Sequence, residues 1–432
     1  MISFIVVMAI AIAIALGYKT KINTGLFAIC FAYIIGCFLL DLKSSAVVAM
    51  WPISIFFVIF AVSLFYNFAL VNGTLEKLSA TLLYSCRKFP QMLPFAIFIA
   101  AALIAGLGAG FFTVMAFMAP ITMMLCEKTG LNKLVGAVAV NYGALGGANF
   151  MTSQSGIIFK SLIEASGYTE PSLVYTTTIF ITTMVIPILV ISFFMLVTNS
   201  TKVLSKNFNI EKPPAFDAKQ KTTLYLIMLM IVIVLAAPIM HMLLPANKAI
   251  TFINSKMDIG LIACIMAVIA LLLKLGDEKQ VVAKVPWGTL IMICGVGMLI
   301  SVAIKAGTIK ILAGWIGSNM PIFLVPMALC VVGGIMSFFS STLGVVCPAL
   351  FPIIPSIVEA TGLNPMLLFT CVVIGAQATA ISPFSSGGSL TLGGCSNEED
   401  RNRLFPKLIF LAVPTCLIAS TIISFILSLI MK

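Results

Sequence analysis

Residues 143–156 read GALGGANFMTSQSG, and residues 375–388 read GAQATAISPFSSGG, 232 positions later. Both stretches are rich in glycine and small polar residues, and both lie between apolar segments. Helix propensity falls at glycine, and Pro383 removes a backbone donor from the second stretch. Non-helical backbone at membrane depth is tolerated only where protein or a watery cavity satisfies the freed polar groups. We therefore predict two broken transmembrane helices, with the candidate binding site at their interruptions.

The composition of the chain excludes a soluble or a disordered protein. Of its 432 residues, 61% are hydrophobic and 9% are charged, and the mean hydropathy is +1.17. A soluble domain is about 45–50% apolar and about 25% charged, whereas disorder requires low hydrophobicity and high charge. The eleven cysteines are scattered, and His241 is the single histidine. The composition predicts an all-α polytopic membrane protein without a metal centre.

Charged residues and Gly/Pro clusters divide the apolar sequence into segments that match the thickness of a bilayer, for which about 20 residues of helix suffice. The ten predicted spans are Ile2–Leu16, Ile22–Leu40, Val47–Leu70, Leu134–Ala165, Leu173–Val197, Leu224–Leu244, Ile259–Leu273, Leu290–Ile304, Pro365–Leu392 and Leu408–Met431. Two further stretches, Met92–Cys126 and Ile322–Val358, are interrupted at their middle by small residues. Because each is short for two full crossings, we predict two re-entrant hairpins.

The basic residues are distributed unevenly between the two sides of these spans. Loops on one side hold 18 of the 25 Lys and Arg residues, and loops on the other side hold six. Cytoplasmic loops of membrane proteins carry the excess of basic residues. We therefore predict an integral protein of a bacterial cytoplasmic (inner) membrane, with both termini outside.

The two halves of the chain resemble each other. The residues TGLN at 129–132 recur at 361–364, and Pro120 corresponds to Pro352 at the same offset. We predict a first repeat in residues 1–200, a cytoplasmic linker in 201–221 and a second repeat in 222–432. Each repeat has five spans and one hairpin, so the second enters the membrane from the opposite face. Inverted repeats of this kind are typical of secondary transporters.

These features resemble the ion transporter superfamily, in particular the divalent anion–sodium symporters and the malonate and C4-dicarboxylate carriers. The resemblance rests on Pro120 and Pro352, on the two broken helices and on Ser382-Pro383 in the second of them. In that family each hairpin tip carries a Ser-Asn-Thr motif that contacts carboxylate and borders a sodium site. Residues 340–342, Ser-Ser-Thr, are similar to this motif, whereas residues 108–110, Gly-Ala-Gly, depart from it. The resemblance implies a homodimer and an elevator motion of the hairpins against a scaffold.

The predicted site residues belong to the two interruptions and the two hairpin tips. The predicted substrate-binding residues are Asn149, Thr152, Ser153, Ser340, Ser341, Thr342, Ser382, Ser385 and Ser386. The predicted sodium ligands are Gly108, Gly146, Gly147, Asn149, Ser340, Thr379 and Ala380, through carbonyl oxygens and the Asn149 and Thr379 side chains. Sodium is favoured over protons because no Asp, Glu or His lies in the middle of a span to relay a proton.

We therefore predict a secondary active transporter of a small carboxylate, a dicarboxylate such as a C4 acid or malonate, with sodium as coupling ion. We expect it to need no organic cofactor, to lie in the lipid bilayer and to bind no nucleic acid. The alternatives are a proton-coupled or exchange transporter of another anion such as gluconate or arsenite, and an anion channel. No Walker, G-x-S-x-G or HExxH motif occurs, so an ATP-driven pump and a membrane enzyme have no support.

Overall fold

The computed structural model describes residues 2–85, 92–198, 212–244, 246–308, 311, 314, 319–338, 340–395 and 397–431. Within these residues the chain is helical and has no β-strand, so the all-α prediction is confirmed. Of the predicted linker 201–221, residues 201–211 lie outside the described part, and the next helix begins at Ala218.

The described residues of the first half form ten α-helices: α1 Ile2–Thr20, α2 Thr24–Tyr33, α3 Ser44–Val48, α4 Ile53–Val71, α5 Thr74–Ser85, α6 Leu93–Ile104, α7 Gly110–Thr129, α8 Lys133–Ala148, α9 Gln154–Ala165 and α10 Ser172–Val197. The second half contains α11 Ala218–Leu243, α12 Lys248–Lys256, α13 Ile259–Leu272, α14 Glu278–Ala283, α15 Trp287–Lys305, α16 Val325–Phe338, α17 Cys347–Leu350, α18 Ile354–Thr361, α19 Pro365–Ala378, α20 Ser386–Gly393, α21 Glu398–Lys407 and α22 Val413–Ile430. Short π-helical turns at Ile34–Leu39, Ala105–Ala109, Thr342–Val346 and Leu408–Ala412 adjoin these helices.

Seven helices in the described part of the chain are long and apolar enough to cross a membrane, or eight if α12 and α13 form one bent span. This number counts the apolar stretch Leu93–Thr129 as one helix and leaves out the shorter apolar helices. The protein is thus an integral membrane protein with several spans, while the number of ten stays a prediction.

The stretch Leu93–Thr129 folds back on itself as a hairpin. A methyl group built at Gly143 would lie 2.4 Å from the Phe98 carbonyl oxygen, and one at Gly147 would lie 2.0 Å from that of Ala102. The residue numbers increase in the same direction in both helices, so α6 runs parallel to α8. The second arm is α7. Near its end, Cys126 lies against Gly136 of α8, whereas its start lies beyond the end of α8, against Gln154. The α7 arm is therefore antiparallel to α8.

The chain reverses between the two arms at glycines. Gly108 has φ 98° and Gly110 has φ 71°. Residues with a Cβ rarely adopt this left-handed region, which explains the glycines at this tip.

The stretch from Ile322 to Thr361 forms the second hairpin, which packs against α19. A methyl group at Gly375 would lie 1.9 Å from the Cys330 carbonyl oxygen, and the Thr379 hydroxyl donates to the Gly334 carbonyl at 2.7 Å. The arm α16 is therefore parallel to α19. The returning arm places the Phe351 ring 4.8 Å from that of Phe369, near the start of α19. Both predicted hairpin stretches thus fold back, each along one broken helix.

Local geometry is repeated between the halves at the same offset of 232 residues. The first hairpin ends at Gly130 with φ 75° and the second at Gly362 with φ 70°. Asn132 caps α8 by accepting from the Leu134 amide, and Asn364 caps α19 by accepting from the Met366 amide. Left-handed glycine and asparagine caps satisfy the unpaired backbone groups at helix ends. The TGLN motif therefore acts as a stop-and-start signal in both halves.

Candidate functional site

Each broken helix is interrupted for a few residues, and the two interruptions end with the same backbone conformation. The first separates α8 from α9 between Ala148 and Gln154, and the second separates α19 from α20 between Ala378 and Ser386. The residue before the second segment is extended in both, with φ, ψ of −92°, 170° at Ser153 and −102°, 171° at Ser385. We call these segments the first break (residues 149–153) and the second break (residues 379–385).

Hydrogen bonds tie each break to the hairpin of its own half. The Ser153 hydroxyl donates to the Ala105 carbonyl at the first hairpin tip at 2.5 Å. In the second half the Thr379 hydroxyl donates to the Gly334 carbonyl in the first arm of the hairpin, α16, whereas Ser385, the counterpart of Ser153, donates within the break to the Ala380 carbonyl. Each break is therefore joined to the hairpin of its own half.

The second tip and the second break enclose a cavity of about 30 Å³. Seven of its lining residues are Ser337, Ser340, Ser341, Thr342, Ala380, Ser385 and Ser386. A cavity of about 10–15 Å³ holds one water, so this one has room for a few atoms. Hydroxyl groups and backbone carbonyls are the ligands that it offers, and both bind small ions or the head of a carboxylate.

The hydroxyls around this cavity differ in whether they already form hydrogen bonds within the protein. The Ser341 hydroxyl accepts from the Gly344 amide, and those of Ser337 and Thr342 share a hydrogen bond of 2.9 Å. The Ser340 hydroxyl donates to the Met336 carbonyl. The Ser386 side chain forms no hydrogen bond with the described residues. Its hydroxyl is therefore the one most available to a ligand.

Replacing Ser386 by alanine is expected to weaken substrate binding by about 1–3 kcal/mol, because a ligand oxygen loses its donor inside a desolvated site. The measurement is the substrate dissociation constant of the purified protein by calorimetry. Ser389→Ala is the matched control, since Ser389 lies in the same helix but is exposed. Equal affinity in Ser386→Ala and wild type would remove Ser386 from the site.

Asn149 of the first break is joined to the second half by a reciprocal pair of hydrogen bonds. Its amide nitrogen donates to Gln377 Oε1 at 3.0 Å, and Gln377 Nε2 donates back to Asn149 Oδ1 at 3.0 Å. The Asn149 nitrogen also donates to the Thr183 hydroxyl at 2.9 Å. A second link joins the same helices, from the Tyr142 hydroxyl to the Ala378 carbonyl at 2.6 Å. These bonds hold the two broken helices against each other beside the breaks.

Three buried side chains close to the breaks have no hydrogen-bond partner in the described part of the chain: Asn141, Thr152 and Ser155. The Asn141 oxygen lies against Gly387 at the start of α20, where a methyl group would meet it at 2.2 Å. A buried polar group without a partner costs about 1–3 kcal/mol. Water, an ion or substrate at these positions would remove that cost, so the three groups are candidate contacts for any of them.

The predicted site residues lie at three places. Ser340, Ser341, Thr342, Ala380, Ser385 and Ser386 meet at the cavity. Gly146, Gly147, Asn149, Thr152, Ser153, Thr379 and Ser382 lie in or beside the breaks but do not line it. Gly108 instead lines a separate cavity at the first tip, against the Tyr66 ring.

Sequence reasoning did not find Asn141, Tyr142 or Gln377. Their signal was present, since each is a polar or amphipathic residue inside an otherwise apolar helix. Such residues in membrane helices face the protein interior and carry function or contacts between helices.

A much larger cavity, of about 740 Å³, lies next to α9 and reaches Met151 in the first break. Lys160 lines it and pairs with Glu164 at 2.6 Å. Glu170, His241 and Asp258 also line it. Charged and apolar side chains therefore meet beside the first break.

Comparison with known proteins finds similarity to carriers in part of the sequence and in the fold. Residues 1–148 match the family model of the N-terminus of the dicarboxylate carrier protein MatC. The solved structure of the YdaH transporter of Alcanivorax borkumensis is similar in fold, with a TM-score of 0.54 and 14% sequence identity over 88% of this chain and 87% of that one. No curated protein matches the sequence. In its first 148 residues the chain thus resembles dicarboxylate carriers, and over most of its length it has the fold of a membrane transporter.

Proposed function

We propose that the protein is a secondary active transporter of a small carboxylate, a dicarboxylate such as a C4 acid or malonate, coupled to sodium. The observation that carries this proposal is the cavity between the second tip and the second break, where six serine and threonine side chains meet beside Phe111, Phe112, Leu145 and Leu343. The match of residues 1–148 to the dicarboxylate carrier model supports the substrate class.

Within this proposal the hydroxyl groups hold substrate and the backbone oxygens hold sodium. The substrate residues are those predicted above, with Ser340, Ser341, Thr342, Ser385 and Ser386 at the cavity. Sodium takes carbonyl oxygens at Gly108, Gly146, Gly147, Ser340 and Ala380 and side-chain oxygens of Asn149 and Thr379. A cation beside each carboxylate offsets negative charge in a medium of low dielectric constant, where an unpaired charge is costly.

We further propose that the two halves form an inverted repeat of five spans and one hairpin each and that the protein works as a homodimer. The repeated caps, breaks and hairpins at an offset of 232 residues support the repeat. Each tip lies against the equivalent helix of its own half, the first against α4 and the second against α15. In an elevator mechanism these two helices belong to the scaffold, and the hairpins move along them. The excess of basic residues in the loops of one side supports a bacterial inner membrane with both termini outside.

The test of coupling is uptake of a labelled dicarboxylate into proteoliposomes with an inward sodium gradient at fixed pH. We expect uptake to depend on sodium and to be accelerated by the same acid inside the vesicles, because exchange through a carrier is faster than net flux. The control vesicles have choline in place of sodium.

Two results would contradict the proposal in different ways. Undiminished uptake in choline that follows an acid-outside pH step would replace sodium by protons as coupling ion. Absence of acceleration by internal substrate would favour the anion channel over the transporter.

A further inference from the structure

The cavity of about 740 Å³ beside α9 lies between two groups of helices, with residues of α9 and α10 on one side and residues of α11, α12 and α13 on the other. Helix α4 packs against α9, α11 and α13, whereas no close packing joins α9 or α10 to α11 or α13 in the described part of the chain. Protein interiors have few spaces larger than one water molecule. Cavities of about 300–1,000 Å³ are typical of ligand sites, so this gap has the size of a ligand.

The lining of this large cavity changes from polar to apolar with depth. Its charged and ionisable side chains lie at helix ends: Glu164 is in the last turn of α9, His241 is in the last turn of α11, and Asp258 directly precedes α13. Ile157 and Leu235 line it about two turns before the ends of α9 and α11. Because the ends of membrane-spanning helices lie at the membrane surface, the polar end of the cavity lies near the lipid headgroups and the apolar end lies at the depth of the acyl chains.

The short helix α12 covers the polar end. It is bent by 71° from α13, and none of its residues is buried. Thr251, Asn254 and Ser255 line the cavity, whereas Phe252 and Ile253 are 64% and 51% exposed. A helix with one polar and one apolar side that follows one membrane-length helix and precedes another apolar helix is typical of the membrane interface. Helix α12 therefore also places the polar end of the cavity at the level of the headgroups.

The charges at the polar end are mainly negative. Lys160 and Glu164 both line the cavity and pair with each other at 2.6 Å. Glu170 and Asp258 line it too, and neither forms an ion pair within the described part of the chain. Two carboxylates without a cation attract an ammonium group and repel a second anion. The cavity therefore disfavours a dicarboxylate and favours a molecule with a positively charged head and an apolar body.

We propose that the large cavity binds a membrane phospholipid with an ethanolamine headgroup. Its ammonium group pairs with Glu170 and Asp258, and an acyl chain lies along Ile157 and Leu235. Phosphatidylglycerol shares the acyl chains but brings no cation to the two carboxylates. The bound lipid joins α9 and α10 to α11 and α13, which do not pack on each other directly, and so stabilises the fold. This inference does not depend on which substrate the protein transports.

The experiment adds phosphatidylethanolamine or phosphatidylglycerol with identical acyl chains to delipidated protein. Native mass spectrometry measures binding, and thermal unfolding measures stability. We expect phosphatidylethanolamine to bind more tightly and to raise the melting temperature further, because a ligand of the native state stabilises it.

The double variant Glu170→Gln/Asp258→Asn tests the headgroup contact. We expect its dissociation constant for phosphatidylethanolamine to rise about tenfold, ~1.4 kcal/mol, and its preference over phosphatidylglycerol to disappear. Asparagine preserves the cap of α13, where Asp258 accepts from the Leu261 amide, because both residues cap helices well. Glu359→Gln is the matched control, since Glu359 is an exposed carboxylate that does not line the cavity. An unchanged preference in the double variant overturns the assignment.

Leu235→Trp tests the apolar end, because the larger side chain fills the space for the acyl chain. We expect it to weaken binding of both lipids, whereas Leu229→Trp binds them as wild type does, since Leu229 lies in the same helix but is 47% exposed and outside the cavity. Wild-type protein that binds neither lipid contradicts the inference. So does a Leu235→Trp protein that keeps its lipid and loses dicarboxylate uptake, because the cavity would then be a path for substrate.

Discussion

Replacing Gly375 by alanine is expected to destabilise the protein and to abolish transport. The new methyl group would lie 1.9 Å from the carbonyl oxygen of Cys330 and 2.5 Å from its carbon. These are backbone atoms of α16, so no side chain can rotate away, and the two helices must separate. Inserting a methylene into a packed core costs about 1–3 kcal/mol. The transport loss follows because α16 carries the second tip and its hydroxyls.

Thermal unfolding in detergent and uptake into proteoliposomes measure the two effects. Gly393→Ala is the matched control, a helical glycine of the same half with nothing within 4 Å of an added methyl group. Gly143→Ala should resemble Gly375→Ala, because it meets the Phe98 carbonyl at 2.4 Å in the first half. A Gly375→Ala protein with normal melting and normal uptake would show that this helix contact does not position the tip.

The breaks and hairpins could be predicted from the sequence because their signals are local. Glycine, serine and proline lower helix propensity at residues 143–156 and 375–388 wherever these residues lie in space. The hairpins followed from length, since a stretch of about 35 apolar residues exceeds one span and falls short of two. The close approach of Gly143 and Gly375 to hairpin carbonyls also follows from the absence of a side chain, although the sequence does not name the partner.

The contacts between the two halves could not be predicted from the sequence in the same way. Asn149 and Gln377 are 228 positions apart, and neither helix carries a pattern that selects the other. The prediction that Asn149 binds sodium or substrate followed from its side-chain chemistry alone. The sequence did not show that the Gln377 amide faces it.

Removing either member of the Asn149–Gln377 pair is expected to cost more stability than removing both. Asn149 is fully buried and Gln377 is 4% exposed. Asn149→Leu leaves the Gln377 amide without its partner, and Gln377→Met does the same to Asn149, at about 1–3 kcal/mol each. The double variant leaves neither amide unpaired, and replacing both partners by apolar groups can be nearly neutral. We therefore expect a coupling of about 0.5–3 kcal/mol in the double-mutant cycle.

Unfolding free energies of the four proteins in detergent micelles measure this coupling, and a cycle of Gln377→Met with Ser389→Ala provides the control. Ser389 is exposed and makes no contact with the pair, so its cycle should be additive within about 0.5 kcal/mol. Additive losses in the Asn149–Gln377 cycle would mean that the pair does not join the two broken helices.

Sodium-dependent uptake by the same double variant separates the two roles of Asn149. If its oxygen serves only to pair with Gln377, uptake should return together with stability. We expect stability to return and sodium dependence to stay impaired, because Asn149 Oδ1 has a second acceptor lone pair that an ion at the first break can use while the first binds Gln377. Full recovery of sodium-coupled uptake in Asn149→Leu/Gln377→Met would restrict Asn149 to holding the two halves together and leave sodium to the backbone carbonyls of the breaks.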